Sequence, residues 1–152
     1  EATKQLETYH RRDDREDFEL VVRLAGFTPD VVRAQSENLH DQIAMPEGFG
    51  AKLTIRPSTI EGLGVFLSSP AEADEVLAPA RVLGHRTPAG RYTNHSKTPN
   101  AKFIKDEDGV IWLVATRRIA GCAGGSQGEE VTIDYRQALA LSGINLIEGE
   151  SQ

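Results

Sequence analysis

The chain has 152 residues, of which 17 are Lys or Arg and 23 are Asp or Glu, so its formal net charge is −6. This length corresponds to one ordinary domain that can bury a core without covalent staples. The single cysteine, Cys122, excludes internal disulfides and zinc sites that need several thiolates. The acidic balance argues against direct nucleic-acid binding, which relies on a basic surface, and suits a basic partner instead. No apolar run reaches the ~18 residues of a membrane span, so we expect no membrane association and an intracellular, cytoplasmic or nuclear location.

Residues 1–50 are predicted to form a helical segment with a packing role. Phe18, Val21, Val22 and Ala25 recur at the spacing of one helix face, which predicts a first helix with an apolar stripe. The opposed charges between residues 11 and 19 are interpreted as the solvated face of that helix.

A second helix is predicted to begin at the Thr-Pro-Asp sequence of residues 28–30. A hydroxyl, a proline and an acid at these positions suit the free amides and the positive end of a helix start. The apolar stripe of this helix would carry Val32, Leu39 and Ile43, and the turn-forming residues 46–50 would end it.

From Ala51 the pattern changes to short strands separated by Gly, Pro, Asn and Asp. The candidate strands cover residues 52–56, 64–67, 101–105, 110–116 and 130–133. The clearest pair is a hairpin whose turn is Asp106-Glu107-Asp108-Gly109. Its second strand is apolar on both faces and should therefore lie inside a sheet. The small-residue loop of residues 121–128 is predicted to be mobile.

Common ligand motifs are absent from the sequence. The glycines at positions 62 and 64 are not followed by the third glycine of a dinucleotide fingerprint, because Leu67 stands there. The glycine loop around Gly124 lacks the Lys and Ser or Thr of a phosphate-binding loop. The four histidines show no metal-ligand spacing, so no metal site is predicted.

Three polar segments remain, and they follow one another in a fixed order. They are Gly62-Leu63-Gly64-Val65-Phe66, Arg91-Tyr92-Thr93-Asn94-His95-Ser96-Lys97-Thr98-Pro99-Asn100, and Gly128-Glu129-Glu130-Val131-Thr132-Ile133-Asp134-Tyr135. Taken singly, they could be a hairpin turn, a loop with an Asx turn and an edge strand. Their combination and order carry more information than any one of them.

Together the three segments resemble the signature of the SET-domain protein lysine methyltransferases. That signature is Gly-x-Gly-Val-Phe, then Arg-aromatic-x-Asn-His-Ser-x-x-Pro-Asn, then Gly-Glu-Glu-hydrophobic-Thr-x-x-Tyr. The resemblance extends from about Lys52 to Tyr135. It implies a mostly β fold with flanking helices (α+β), in which short strands form a pseudoknot and an N-terminal helical segment precedes them. The corresponding domain boundaries are 1–50 for the helical segment, 51–136 for the SET-like catalytic domain and 137–152 for a C-terminal helix and tail.

The resemblance also implies a cofactor, S-adenosylmethionine, with S-adenosylhomocysteine as its product. The residues implied to bind it are Gly62, Leu63, Gly64, Arg91, Asn94 and His95. Tyr135 occupies the position of the family's active-site tyrosine, while Asn100, Glu129 and Glu130 are expected to support the fold. The substrate would be a lysine in a basic, histone-like or other protein, which fits the acidic net charge. Whether the chain forms a homo-oligomer is left open.

Two departures from the family pattern leave other functions open. Only 24 residues separate Phe66 from Arg91, which is short for the segment that forms one wall of the substrate groove. The zinc-binding cysteines that follow Tyr135 in many members are missing here. The chain could therefore be a SET-like binding or structural module that keeps the cofactor site but has little or no turnover. A third hypothesis is a methyltransferase for a small amine.

Overall fold

The computed structural model describes residues 14–24, 42–122 and 128–141. Within these ranges a first helix, α1, covers residues 14–24. The strands that follow are β1 (Leu53–Pro57), β2 (Leu63–Leu67), β3 (Val76–Val82), β4 (His85–Arg86), β5 (Asn94–His95), β6 (Ala101–Lys105), β7 (Ile111–Ala115) and β8 (Thr132–Ile133). Two short helices are α2 (Pro88–Tyr92) and α3 (Tyr135–Leu141). The predicted fold class, mostly β with flanking helices, is confirmed.

The largest sheet has the strand order β4-β3-β7-β6. Its inner strand β7 is the apolar strand of the predicted hairpin, and it pairs in antiparallel fashion with β6 and β3. The turn of the hairpin closes as expected, because the Asp106 carbonyl accepts the amide of Gly109 at 3.1 Å. The Asp106 carboxylate also accepts the amide of Val110 at 2.9 Å. The hairpin prediction is therefore confirmed.

The short insert before Arg91 contains structure that the sequence analysis missed. It forms β3, β4 and the start of α2. Strand β3 contains Pro79 and pairs with β7 through two irregularities in register, which is how a proline fits into an inner strand. Helix α2 begins conventionally, because the Thr87 hydroxyl accepts the amide of Ala89 at 3.1 Å.

The three signature segments meet through the two smaller sheets. Strands β1 and β2 form an antiparallel pair, and β5 pairs in parallel with β8, with Asn94 opposite Thr132 and His95 opposite Ile133. A further bridge joins Val65 to Val131. Segments that are far apart in sequence therefore lie side by side. The crossing of the last strand beneath a loop stays a prediction.

Helix α1 packs on this assembly through the predicted apolar stripe. Phe18, Val21 and Val22 are each no more than 4% exposed. The second predicted helix lies largely outside the described residues, but its predicted end is wrong. Gln42 forms a parallel bridge with Arg86, and the amide of Ile43 donates to the Arg86 carbonyl at 2.9 Å, so the chain is extended there. The predicted mobile loop and the C-terminal tail lie mostly outside the described residues.

Candidate active site

The Asn94 side chain holds the turn of residues 62–64. Its Nδ2 donates to the carbonyls of Glu61 at 3.0 Å and Leu63 at 3.1 Å, which flank Gly62 on both sides. Asn94 is buried, whereas Leu63 is 45% exposed. Gly62 has φ +48°, in the left-handed region that favours glycine, and apart from its two chain neighbours no atom of the described residues lies within 4 Å of where its Cβ would be. The turn is therefore fixed from within and open on its outer side.

Glu130 completes this network from the third segment. Its Oε2 accepts from Asn94 Nδ2 at 2.7 Å, and its Oε1 accepts from the Ser58 hydroxyl at 2.7 Å. A Cβ on Gly64 would lie 2.3 Å from Oε2 of Glu130. The missing side chain at position 64 thus makes room for this carboxylate. Glu130 supports the loop, as the sequence analysis expected.

Asn100 ties the second segment to the third through its amide. Its Nδ2 donates to the carbonyl of Glu130 at 2.9 Å, and its Oδ1 accepts the amide of Thr132 at 2.8 Å. Asn100 is 3% exposed, so these bonds are shielded from water. The Asn100 side chain therefore links the second segment to the backbone of residues 130 and 132 and holds β8 beside β5.

His95 is fully buried and uses both ring nitrogens. The amide of Tyr135 donates to Nδ1 at 3.0 Å, and Nε2 lies 2.5 Å from Oδ2 of Asp17 on helix α1. Because Nδ1 accepts a hydrogen bond, this contact requires the ring proton to be on Nε2, which donates to Asp17.

Arg136 forms a bidentate contact with the carboxylate of Asp17. The two terminal nitrogens of the guanidinium lie 2.8 Å from Oδ1 and Oδ2 of the carboxylate. This contact is the main cause that lowers the pKa of Asp17 to about 2; burial opposes it, and the hydrogen bond from His95 assists it. The carboxylate is therefore charged throughout the physiological pH range.

The Tyr135 phenol is enclosed by polar and aromatic neighbours. Its hydroxyl donates to the carbonyl of Thr93 at 3.1 Å. Its ring centroid lies 5.7 Å from that of Phe18, in an edge-on arrangement, and 5.2 Å from that of His95. The phenol oxygen therefore lies next to the strand that carries Asn94 and His95.

The surroundings of Tyr135 disfavour its ionised form. Desolvation raises the pKa of the phenol far above its usual value, and the negative charges of Glu130 and Glu61 add to this effect. The phenol therefore stays protonated at neutral pH. It can orient a partner by hydrogen bonding, but it cannot serve as a strong base there.

Arg91 is held apart from these contacts. Its guanidinium donates to the side-chain carbonyl of Gln42 at 2.7 Å and lies 4.7 Å from the centre of the Tyr92 ring. Within the part of the chain that the structure describes, the buried Nε of Arg91 has no hydrogen-bond partner. This atom is a buried donor that a ligand could satisfy.

A family model described as SET domain matches residues 11–136. The match includes α1, all three signature segments and every described strand. The chain belongs to the SET-domain family. Membership of this family supports methyl transfer in general. The matched range includes α1, and the predicted domain boundaries stay predictions.

Two solved structures resemble this SET-domain chain. One is a candidate histone methyltransferase of Plasmodium falciparum, with 19% identity, a TM-score of 0.43 and coverage of 55% of this chain and 92% of that chain. The other is the methyltransferase domain of human PR domain-containing protein 2, with 14% identity, a TM-score of 0.44 and coverage of 63% of this chain and 89% of that chain. No curated protein matches the chain.

The structure joins most of the predicted site residues but adds others that the sequence did not reveal. Asn94 contacts the turn of residues 62–64, and His95 contacts Tyr135. The contacts of α1 with the site were missed, because the opposed charges between residues 11 and 19 were interpreted as a solvated helix face. That interpretation is wrong for Asp17, whose side chain is 10% exposed. Spacing alone could not pair this acid with a histidine 78 residues away.

In residues 14–24, 42–122 and 128–141, no group of three or more His, Cys, Asp or Glu side chains is arranged to hold a metal ion. Among the helices in the same ranges, none has the length and apolar character needed to cross a bilayer.

Proposed function

We propose that this SET-domain protein transfers a methyl group from S-adenosylmethionine to the side-chain amine of a lysine in a basic protein. The observation that carries the proposal is Tyr135, whose protonated phenol is fixed on the Thr93 carbonyl beside the Asn94 network. The net charge of −6 supports a basic substrate, because opposite charge favours encounter and binding.

The residues around the turn fit S-adenosylmethionine. Gly62 has open space on its outer side, so the backbone of Gly62, Leu63 and Gly64 can approach a ligand closely. The Nε of Arg91, which has no hydrogen-bond partner among the described residues, can donate to a ligand oxygen. Asn94 and His95 would shape the ligand site from strand β5, because Asn94 holds the turn of residues 62–64 and His95 holds the backbone of Tyr135. When bound, this ligand supplies a methyl group on a positively charged sulfur, which becomes a neutral thioether once the amine nitrogen takes the methyl.

Tyr135 would position the amine that receives the methyl group. Its hydroxyl proton is directed to the Thr93 carbonyl, so the phenol oxygen keeps lone pairs with which to accept an N–H from the substrate amine. A lysine ammonium has no lone pair, and it must first lose a proton to water. Burial beside Tyr135 lowers the lysine pKa because desolvation penalises the charged form. Alignment of the amine then contributes most of the rate acceleration.

Ligand binding can be tested by thermal unfolding of the chain with and without S-adenosylhomocysteine. At about 100 times its dissociation constant, a ligand that binds only the folded state adds about 2.7 kcal/mol to the unfolding free energy, so the melting temperature should rise. Asn94→Ala should reduce the shift, because the turn loses its internal support. An unchanged melting temperature in the wild-type chain at millimolar ligand would contradict the proposal.

The binding-module hypothesis predicts a different combination of results. Its basis is the short insert, which forms only β3, β4 and part of α2 and so leaves little chain for a groove wall. A module of this kind would bind S-adenosylhomocysteine but transfer no label from methyl-labelled S-adenosylmethionine to any basic protein. Label transfer to a free amine but not to proteins would favour the small-amine methyltransferase.

A further inference from the structure

The carboxylate of Asp17 makes contacts that converge on Tyr135 from two directions. Oδ2 accepts from Nε2 of His95, and both oxygens accept from the guanidinium of Arg136. Nδ1 of His95 accepts the backbone amide of Tyr135, and Arg136 directly follows Tyr135 in the chain.

The first route runs through the histidine ring. Nδ1 of His95 can accept the Tyr135 amide only when it carries no proton. The neutral ring then has its proton on Nε2. An acceptor on the Nε2 side favours this tautomer and fixes the ring plane. Asp17 is that acceptor, at 2.5 Å. Because His95 is fully buried, water does not readily replace the carboxylate.

The second route runs through the chain that follows the tyrosine. The Arg136 guanidinium is held flat against Asp17 by two hydrogen bonds of 2.8 Å, a geometry that limits its rotation. The amide of Arg136 also donates to Oδ1 of Asp134 at 2.9 Å. Residues 134 and 136 therefore flank the tyrosine with fixed contacts. Phe18, the neighbour of Asp17 on α1, packs on the ring itself.

We propose that Asp17 is a positioning residue for Tyr135, which it places through His95 and Arg136. The inference rests on the proposed function, in which the tyrosine aligns the substrate amine. Asp17 touches neither the substrate nor the methyl donor in this role. It determines where the tyrosine backbone lies and hence where the phenol oxygen points.

A merely structural role for Asp17 predicts a different pattern. If the carboxylate only docks α1, its loss should weaken the fold in the same way as the loss of Asp14. Asp14 lies one turn earlier on α1 and accepts from the hydroxyl of Ser96 at 2.8 Å, so it docks the same helix on the same segment. No described contact joins Asp14 to His95 or Arg136. Asp14→Asn is therefore the matched control.

The test compares Asp17→Ala, Asp17→Asn and Asp14→Asn in the full chain. Asp17→Asn keeps an oxygen that can accept from His95, but it loses the charge and one bond to Arg136. Two measurements are made on each variant. Nitrogen NMR reports the tautomer of the His95 ring and the amide of Tyr135, and steady-state kinetics with a basic protein substrate separates kcat from KM.

The proposal predicts that Asp17→Ala mixes the His95 tautomers, shifts the Tyr135 amide signal and lowers kcat by roughly 10- to 100-fold. KM for S-adenosylmethionine should change less than about threefold, because the turn of residues 62–64 is untouched. Asp17→Asn should restore most of the tautomer signal and part of kcat, and Asp14→Asn should stay within about twofold of wild type. If Asp17→Ala does not fold, Asp17→Asn and Arg136→Gln carry the test.

Two results would overturn the proposal. One is an unchanged His95 tautomer and Tyr135 amide in Asp17→Ala or, if that variant does not fold, an unchanged Tyr135 amide in Arg136→Gln. The other is an equal loss of kcat in Asp14→Asn. Failure of the proposed function would look different. A wild-type chain without turnover would remove only the kinetic measurement, and the NMR comparison would still show whether Asp17 places Tyr135.

Discussion

The Asn94 amide links the first and third signature segments at the scale of single residues. One nitrogen donates to two backbone carbonyls of the turn and to the Glu130 carboxylate. The combination and order of the three segments indicated function, but the sequence could not show that the segments support one another through contacts. Gly64 illustrates this, because its lack of a side chain is needed for Glu130 rather than for a chain reversal.

A side chain at position 64 should therefore destabilise the fold. Gly64→Ala places a methyl group against the Glu130 carboxylate and 3.1 Å from Cβ of Ser58, so we expect a loss of about 1–3 kcal/mol from overpacking. Urea unfolding measures this change. In the Glu130→Ala background the same substitution should cost less than half as much. Equal costs in both backgrounds would show that Glu130 is not the obstacle.

Ionisation of Asp17 should make stability depend on pH in acid. The folded-state pKa of Asp17, about 2, lies below the value of 3.8 for an unperturbed aspartate. Ionised Asp17 therefore adds to the free energy of unfolding above about pH 4, and this stabilisation is lost as the pH falls toward 2. This difference corresponds to about 2 kcal/mol. Urea unfolding between pH 5 and pH 2.5 should show wild type more stable than Asp17→Asn at the upper end. The difference in unfolding free energy between the two proteins should narrow by more than about 1 kcal/mol at the lower end. A difference that does not change with pH would contradict the assignment.

At the scale of elements, the sequence predicted what depends on local pattern and missed what depends on distant contacts. The β6–β7 hairpin was evident because an acidic turn with a glycine separates two strand-like runs, the second of which is apolar on both faces. Strand β3 was missed because Pro79 normally argues against an inner strand, and two register irregularities make room for it. The apolar stripe of α1 was found, but its polar contacts depend on residues near position 95 and position 136.

Helix α1 should contribute substantially to stability through Phe18. This ring is 4% exposed and packs edge-on against Tyr135, so Phe18→Ala should cost about 3–5 kcal/mol. Leu20→Ala provides a control on the same helix, because Leu20 is 36% exposed and should lose less than about 1 kcal/mol. Chemical unfolding of both variants measures the difference. Similar losses would mean that α1 does not pack on the site as described.

At the scale of the whole molecule, the net charge of −6 gives the proposed substrate a long-range attraction. Surface electrostatic attraction weakens as salt shortens the screening length to about 8 Å at physiological ionic strength. We therefore expect KM for a lysine-rich protein substrate to rise with salt between about 0.01 and 0.15 M. Initial-rate measurements at saturating S-adenosylmethionine provide the check, with a neutral lysine peptide as the control. A KM that does not respond to salt would remove charge as a basis for substrate choice.

The proposed function requires methyl transfer in which Tyr135 takes part. The most direct measurement is mass spectrometry of a basic protein after incubation with the chain and isotope-labelled S-adenosylmethionine. We predict a labelled methyl group on a lysine side-chain nitrogen. We also predict that Tyr135→Phe, which keeps the ring contacts but loses the hydroxyl bond to Thr93, slows the transfer by at least about tenfold while still binding S-adenosylhomocysteine. Absence of labelled lysine with the wild-type chain, or equal labelling by Tyr135→Phe, would contradict the account.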